Sequence, residues 1–183
     1  MNMLQQFNTP APRQADSKQR ILILFAIVGG VLGVVLLLAS ALLGGKSTEP
    51  QMTKALESLN QATVAHEIIQ TYETTPAVTN LAATIKTITA SDLGTLYQLA
   101  ATNYPELTYA PVRKLDNVRE SLDSAEISGT LNSQAITISS NTITVAISSL
   151  NELQKSVDDQ LILNATEAAL SNLSALQDQI NDL

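Results

Sequence analysis

The chain has no cysteine and no tryptophan, a single histidine and two phenylalanines in 183 residues. Without cysteine there are no disulfides, no thiolate metal sites, no cysteine nucleophile and no lipidated cysteine. With one histidine, His66, a histidine-dependent triad would rest on that residue alone. No second His or Cys is present to share a metal ion, and zinc sites take three or four such ligands. The phenylalanines fall at Phe7 and Phe25, so the aromatic residues after residue 43 are Tyr72, Tyr97, Tyr104 and Tyr109. A core built after that point is therefore expected to be Leu, Ile, Val and Ala.

Positive charge is also scarce. Residues 44–183 hold seven Lys/Arg against sixteen Asp/Glu, a net charge of −9, whereas residues 1–20 carry +2. A domain this acidic repels nucleic acid, which excludes nucleic-acid binding as a leading function.

One long stretch lacks charge altogether. Ile21–Leu43, ILILFAIVGGVLGVVLLLASALL, has Ser40 as its one polar side chain. As a helix it would be about 35 Å long, which fits a hydrocarbon core of about 30 Å. The run predicts a single transmembrane helix, with the lipid bilayer as its partner. Arg13, Lys18 and Arg20 precede it and only Lys46 and Lys54 follow closely, so the N-terminus is expected in the cytoplasm and the C-terminal domain outside the plasma membrane. A signal peptide cleaved after Ala41 is the competing reading, against which stands the length of the apolar run. Ala26, Gly29, Gly30 and Gly33 place small residues at four-residue spacing, a face on which two membrane helices pack closely.

The expected organisation is a disordered tail at 1–20, the membrane helix at 21–43, a linker at 44–49 and a helical-bundle domain at 50–183. The domain should be all-α, an up-and-down bundle of about four helices. Thr48-Glu49-Pro50-Gln51 reads as a helix start, and the stripe Met52, Leu56, Leu59, His66, Ile69 has helical spacing, carrying that helix to about Thr74. Thr75-Pro76 opens the next helix, which Asn103-Tyr104-Pro105 closes. Asp92 interrupts its apolar stripe beside Gly94, where a bend or restart is expected. A shorter, mixed-charge helix covers Val112–Ala125, with Gly129 as its C-terminal glycine. From Thr130 the sequence is rich in Ser, Thr and Ile. Ile136/Ile138 and Ile143/Val145/Ile147 alternate as in a hairpin across 135–148, giving an α+β alternative. The stripe Leu131, Ala135, Ile138, Thr142, Ala146, Leu150, Leu153, Val157 favours a helix instead. Asn164-Ala165-Thr166-Glu167 resembles a capping box for a last helix.

No motif in the chain carries chemistry by itself. The acidic pairs Asp116/Glu120, Glu120/Asp123 and Asp158/Asp159 read as solvated helix faces rather than catalytic dyads. Asn164-Ala165-Thr166 and Asn172-Leu173-Ser174 match glycosylation acceptors, at a frequency such a composition yields by chance. The distinctive segment is Tyr97–Pro111, which gathers Tyr97, Tyr104 and Tyr109 with two prolines at an inter-helix loop. These tyrosines either cap the bundle core or meet a partner, because tyrosine offers apolar area and a hydroxyl together. No catalytic, cofactor or metal site is expected. The expected function is a membrane-anchored, non-enzymatic interaction or structural module of the cell envelope, with a protein partner or a second copy. The alternatives are an extracytoplasmic ligand-sensing domain acting with a partner and, last, a carboxylate-based envelope enzyme.

Overall fold

The computed structural model describes residues 48–183, so the expectations for the tail, for Ile21–Leu43 with its Ala26/Gly29/Gly30/Gly33 face, and for cleavage after Ala41 lie outside the described residues. Five helices and no strand occur among the described residues: α1 Thr48–Ile69, α2 Pro76–Asn103, α3 Asp116–Ser128, α4 Leu131–Gln154 and α5 Gln160–Asn181. None of them is long and apolar enough to cross a membrane.

The hairpin alternative for 135–148 is overturned, because α4 runs unbroken through it. Side-chain burial shows why. Ile143 is fully buried while Val145, which would share its face in a strand, is 52% exposed. The buried set Ala135, Ile138, Ile143, Ala146, Leu150 and Leu153 keeps helical spacing. The hydroxyls that favour turns and strands are absorbed within the helix: Thr137 donates to Ser133 O at 2.8 Å, Thr142 to Ile138 O at 2.9 Å and Ser149 to Val145 O at 3.0 Å. Each bonds back four residues, the pattern by which Ser and Thr are tolerated in helices.

Other boundaries move for local reasons. The first helix ends at Ile69, five residues before the expected Thr74, and Gln70–Thr74 turn into Thr75-Pro76. The second helix begins with Pro76 at its first turn, and it continues through Asp92 and Gly94 as one helix, without the restart the sequence offered there. Asp92 is half-buried there and accepts from Asn172 Nδ2 on α5 at 3.1 Å, which satisfies the carboxylate within the seam. The short helix starts at Asp116 rather than Val112 and ends, as expected, at Gly129, whose φ of 72° suits glycine. The start of α5 is not the Asn164–Glu167 box. Asp159 caps it, accepting from the amides of Leu161 at 2.9 Å and Ile162 at 3.0 Å. A carboxylate that satisfies two free amides at a helix N-terminus outweighs a box that would discard a full apolar turn.

The four long helices form a ring in the order α1, α2, α5, α4. Polar contacts between them fix the directions. Thr48–Ser156, Lys54–Glu152 and His66–Ser139 follow one another along α1 as α4 is traced backwards, so these two are antiparallel. Thr63–Thr89 and Glu67–Lys86 do the same for α1 and α2. Gln154–Glu167 and Thr144–Gln177 do it for α4 and α5. Every neighbour in the ring is thus antiparallel, yet α2 and α4, consecutive among the long helices, run the same way. The expected up-and-down order of about four helices is corrected to four helices with one long crossover, into which the short α3 is set.

The crossover is the segment Tyr104–Leu115, which has no regular structure beyond a turn at Pro105. Twelve extended residues reach about 40 Å, enough to travel back along α1, about 33 Å long. Along it Leu107, Tyr109, Val112 and Leu115 are half-buried, while Thr108, Ala110, Arg113 and Lys114 are exposed. It is a strap laid over the bundle. Tyr104, Leu107 and Tyr109 pack on a large core cluster that includes Met52, Leu56, Leu59, Ile85, Leu96, Ile143, Leu150 and Leu173. Leu115 packs on a second cluster of Ala65, Ile68, Ile69, Val78, Ala82, Val118, Leu122, Ala135 and Ile138, which α3 closes off.

Candidate functional site

The one histidine belongs to the core. His66 is fully buried at the α1–α4 seam. Its Nδ1 lies 2.7 Å from Ala62 O and its Nε2 lies 2.9 Å from Ser139 Oγ. Burial drives its pKa from the usual 6.5 down to about 4, against a smaller opposing effect of the Ala62 carbonyl. The ring is therefore neutral, with one proton to give. Nδ1–H must donate to Ala62 O, since a carbonyl cannot, and Nε2 then accepts from the Ser139 hydroxyl. That hydroxyl also lies 2.9 Å from Ala135 O, but it has a single proton. A serine–histidine pair is thus present, sealed from any substrate.

The acidic pairs do not act together either. Asp159 is the cap of α5. The Tyr72 hydroxyl donates its hydrogen bond to Asp123 Oδ1 at 2.5 Å, so the phenol's 3.3 Å approach to Arg119 O has no proton left to share. Partial burial, then the Asp123 bond and charge, push the Tyr72 pKa up to about 12. This bond latches α3 to the α1–α2 turn. Glu120 is exposed. Among the described residues no three His, Asp or Glu side chains converge as metal ligands would.

An exposed aromatic and a cluster of cations lie beside the strap. Tyr97 on α2 and Tyr109 on the strap lie with ring centroids 5.7 Å apart and planes tilted by 52°. The two differ in exposure: Tyr97 is 47% exposed, whereas Tyr109 is half-buried against the core. The Tyr109 hydroxyl is buried and has no hydrogen-bond partner among the described residues. Burial raises its pKa, helped by the charge of Glu57 on α1 and by Tyr97. Tyr104 caps the end of α2 and packs inward. Of the three tyrosines marked in the sequence, the structure brings two together and presents one, Tyr97, to solvent.

Further along, the strap reaches α3 and forms a cavity of about 320 Å³ lined by Ile68, Arg113, Lys114, Leu115, Asp116 and Arg119. Sequence reasoning assigned these cations to a mixed-charge helix and missed the site. The available signal was the Arg113-Lys114 doublet just after Pro111, in a domain otherwise poor in cations. No protein family, no curated protein and no solved structure matches the chain.

Proposed function

We propose that the protein is a membrane-anchored, non-enzymatic interaction module of the cell envelope. In this reading Ile21–Leu43 spans the plasma membrane with the N-terminus in the cytoplasm. The bundle lies outside, and the strap face meets a protein partner. The observation that carries it is the Tyr97–Tyr109 pair, an exposed aromatic resting on a second ring that the strap pins to the core. Rigid, half-buried tyrosines make good contact anchors because little entropy is lost when they are covered. The sealed His66–Ser139 pair and the separately engaged carboxylates support a role without chemistry. The uncharged 23-residue run and its basic N-terminal flank support the anchor and its direction.

The test uses the full chain in its own membrane, with a photo-crosslinking residue in place of Tyr97 or of Thr84, an exposed position elsewhere on the same helix. A discrete crosslinked species at Tyr97 and none at Thr84 is expected. No species at Tyr97, or equal products at both, would sink the contact reading. Protease added outside intact cells should digest residues 48–183 and spare residues 1–20. The reverse pattern would invert the topology, and a mature chain starting at Leu42 would remove the anchor.

A further inference from the structure

The cavity at the end of the strap gathers three of the seven cations of residues 44–183. The ion pairs among the described residues are Lys54–Glu152 and Lys86–Glu67. Arg113, Lys114 and Arg119 therefore have no carboxylate within 4.0 Å among those residues. Within a domain of net charge −9, abundant acid is available to neutralise them, and the fold leaves them facing one concavity instead. Asp116 is the single acid on the lining, so the lining groups sum to +2. Two further cavities, one at Ser58, Gln61, Asn141, Thr142 and Val145 and one at Ala77, Asn80, Leu81, Thr84, Gln179 and Leu183, are lined by no charged side chain.

The chemistry that matches is a dianion with an organic portion. A phosphate monoester carries a charge of about −1.5 to −2 near neutral pH, the complement of this lining. Arginine guanidinium groups offer planar forks that fit phosphate oxygens. Ile68 and Leu115 form an apolar wall that bare phosphate would leave uncovered, and a volume of about 320 Å³ lies at the small end of the range for small-molecule sites, about 300–1,000 Å³. We propose that this cavity binds a phosphate monoester, with Arg113, Lys114 and Arg119 holding the phosphate and Ile68 and Leu115 covering the ester group. The ester is either a free small molecule or a lipid headgroup. The proposal does not rest on the partner reading, because none of these side chains belongs to the tyrosine pair.

The test is phosphorus NMR of the full chain in neutral detergent, with glycerol 3-phosphate as the free ester and short-chain phosphatidic acid as the lipid one. At low salt the resonance of at least one probe should broaden and shift on adding protein. The source is whichever probe responds at the lower concentration. The triple variant Arg113→Gln, Lys114→Gln, Arg119→Gln should weaken binding by about tenfold or more for each arginine removed, as loss of charge-assisted bonds predicts. All three side chains are exposed, so its thermal midpoint should match the wild type, and Lys155→Gln should bind normally. Binding of neither probe, binding that survives the triple substitution, or displacement by acetate at the same concentration would each overturn the proposal.

Discussion

His66 and Tyr109 show how single buried polar atoms set the behaviour of this protein, with opposite signs. Because His66 is held neutral with a pKa of about 4 against 6.5 when unfolded, the unfolded chain binds more protons between those values. Stability attributable to His66 is therefore intact above pH 6.5 and drains away as pH falls toward 4, by about 3 kcal/mol in total. In His66→Leu the imidazole is gone, and the Ser139 hydroxyl, released from Nε2, turns its proton to Ala135 O. Urea unfolding should place this variant within about 1 kcal/mol of wild type at pH 7 and show it the more stable of the two at pH 4.5. A wild-type pH profile that the substitution leaves unchanged would mean that His66 is not buried and neutral. Tyr109 works the other way, because its hydroxyl is buried without a partner among the described residues. Tyr109→Phe should raise stability by about 1 kcal/mol, read as a higher thermal midpoint, and a lower midpoint would show that the hydroxyl is bonded after all. Neither effect was legible in the sequence. His66 was recognisable as a helix-face residue, but its partner Ser139 is 73 residues away, and no local pattern pairs them.

Among the elements, legibility followed the range of the interaction that decides each boundary. The stripes of α1, α2 and α4 were readable because burial repeats with the helical period along one segment. Pro76 and Gly129 were readable because each limits the backbone on its own. Two capping signals competed for α5, and composition alone could not rank Asp159 against Asn164–Glu167. The structure makes the ranking testable. Asp159→Ala removes the acceptor of the Leu161 and Ile162 amides and should cost about 1 kcal/mol, whereas Asn164→Ala, within the helix, should change stability by a few tenths at most. Equal effects in thermal unfolding would restore the later start. The same logic separates two glycines. Gly94 sits exposed within α2 with nothing within 4 Å of an added Cβ, so Gly94→Ala should stabilise by about 0.5–1 kcal/mol. Gly129→Ala, at φ 72°, should destabilise by about as much. Both signs follow from backbone conformation, since neither added methyl group meets a neighbour.

For the described residues taken together, the crossover decides the connectivity, and the proposed contact face lies along it. A bundle was expected from four stripes, but stripes carry no direction, and the parallel course of α2 and α4 depends on what twelve irregular residues do. The alternation of Leu107 and Tyr109 along the strap is too short to separate from a loop by pattern, and it acquires meaning only once α1 and α2 lie beneath it. The strap joins two helical hairpins, α1–α2 and α4–α5, and the large core cluster is built from both. The hairpins are thus held by packing across the α1–α4 and α2–α5 seams rather than by the connection. Trypsin should test this directly. Lys54 and Lys86 lie within helices and are ion-paired. Lys155 is exposed, but the next two residues are buried and their amides donate to Leu153 O at 2.9 and 3.0 Å. Arg113 and Lys114 are exposed on irregular backbone with no such protection. Among the described residues, the first cuts should fall after Arg113 and Lys114, and the two halves should co-elute on size exclusion until urea separates them. First cleavage at Lys155 would show the strap protected from protease, and halves that part as soon as the strap is cut would show that the strap, and not the helix seams, holds the hairpins together.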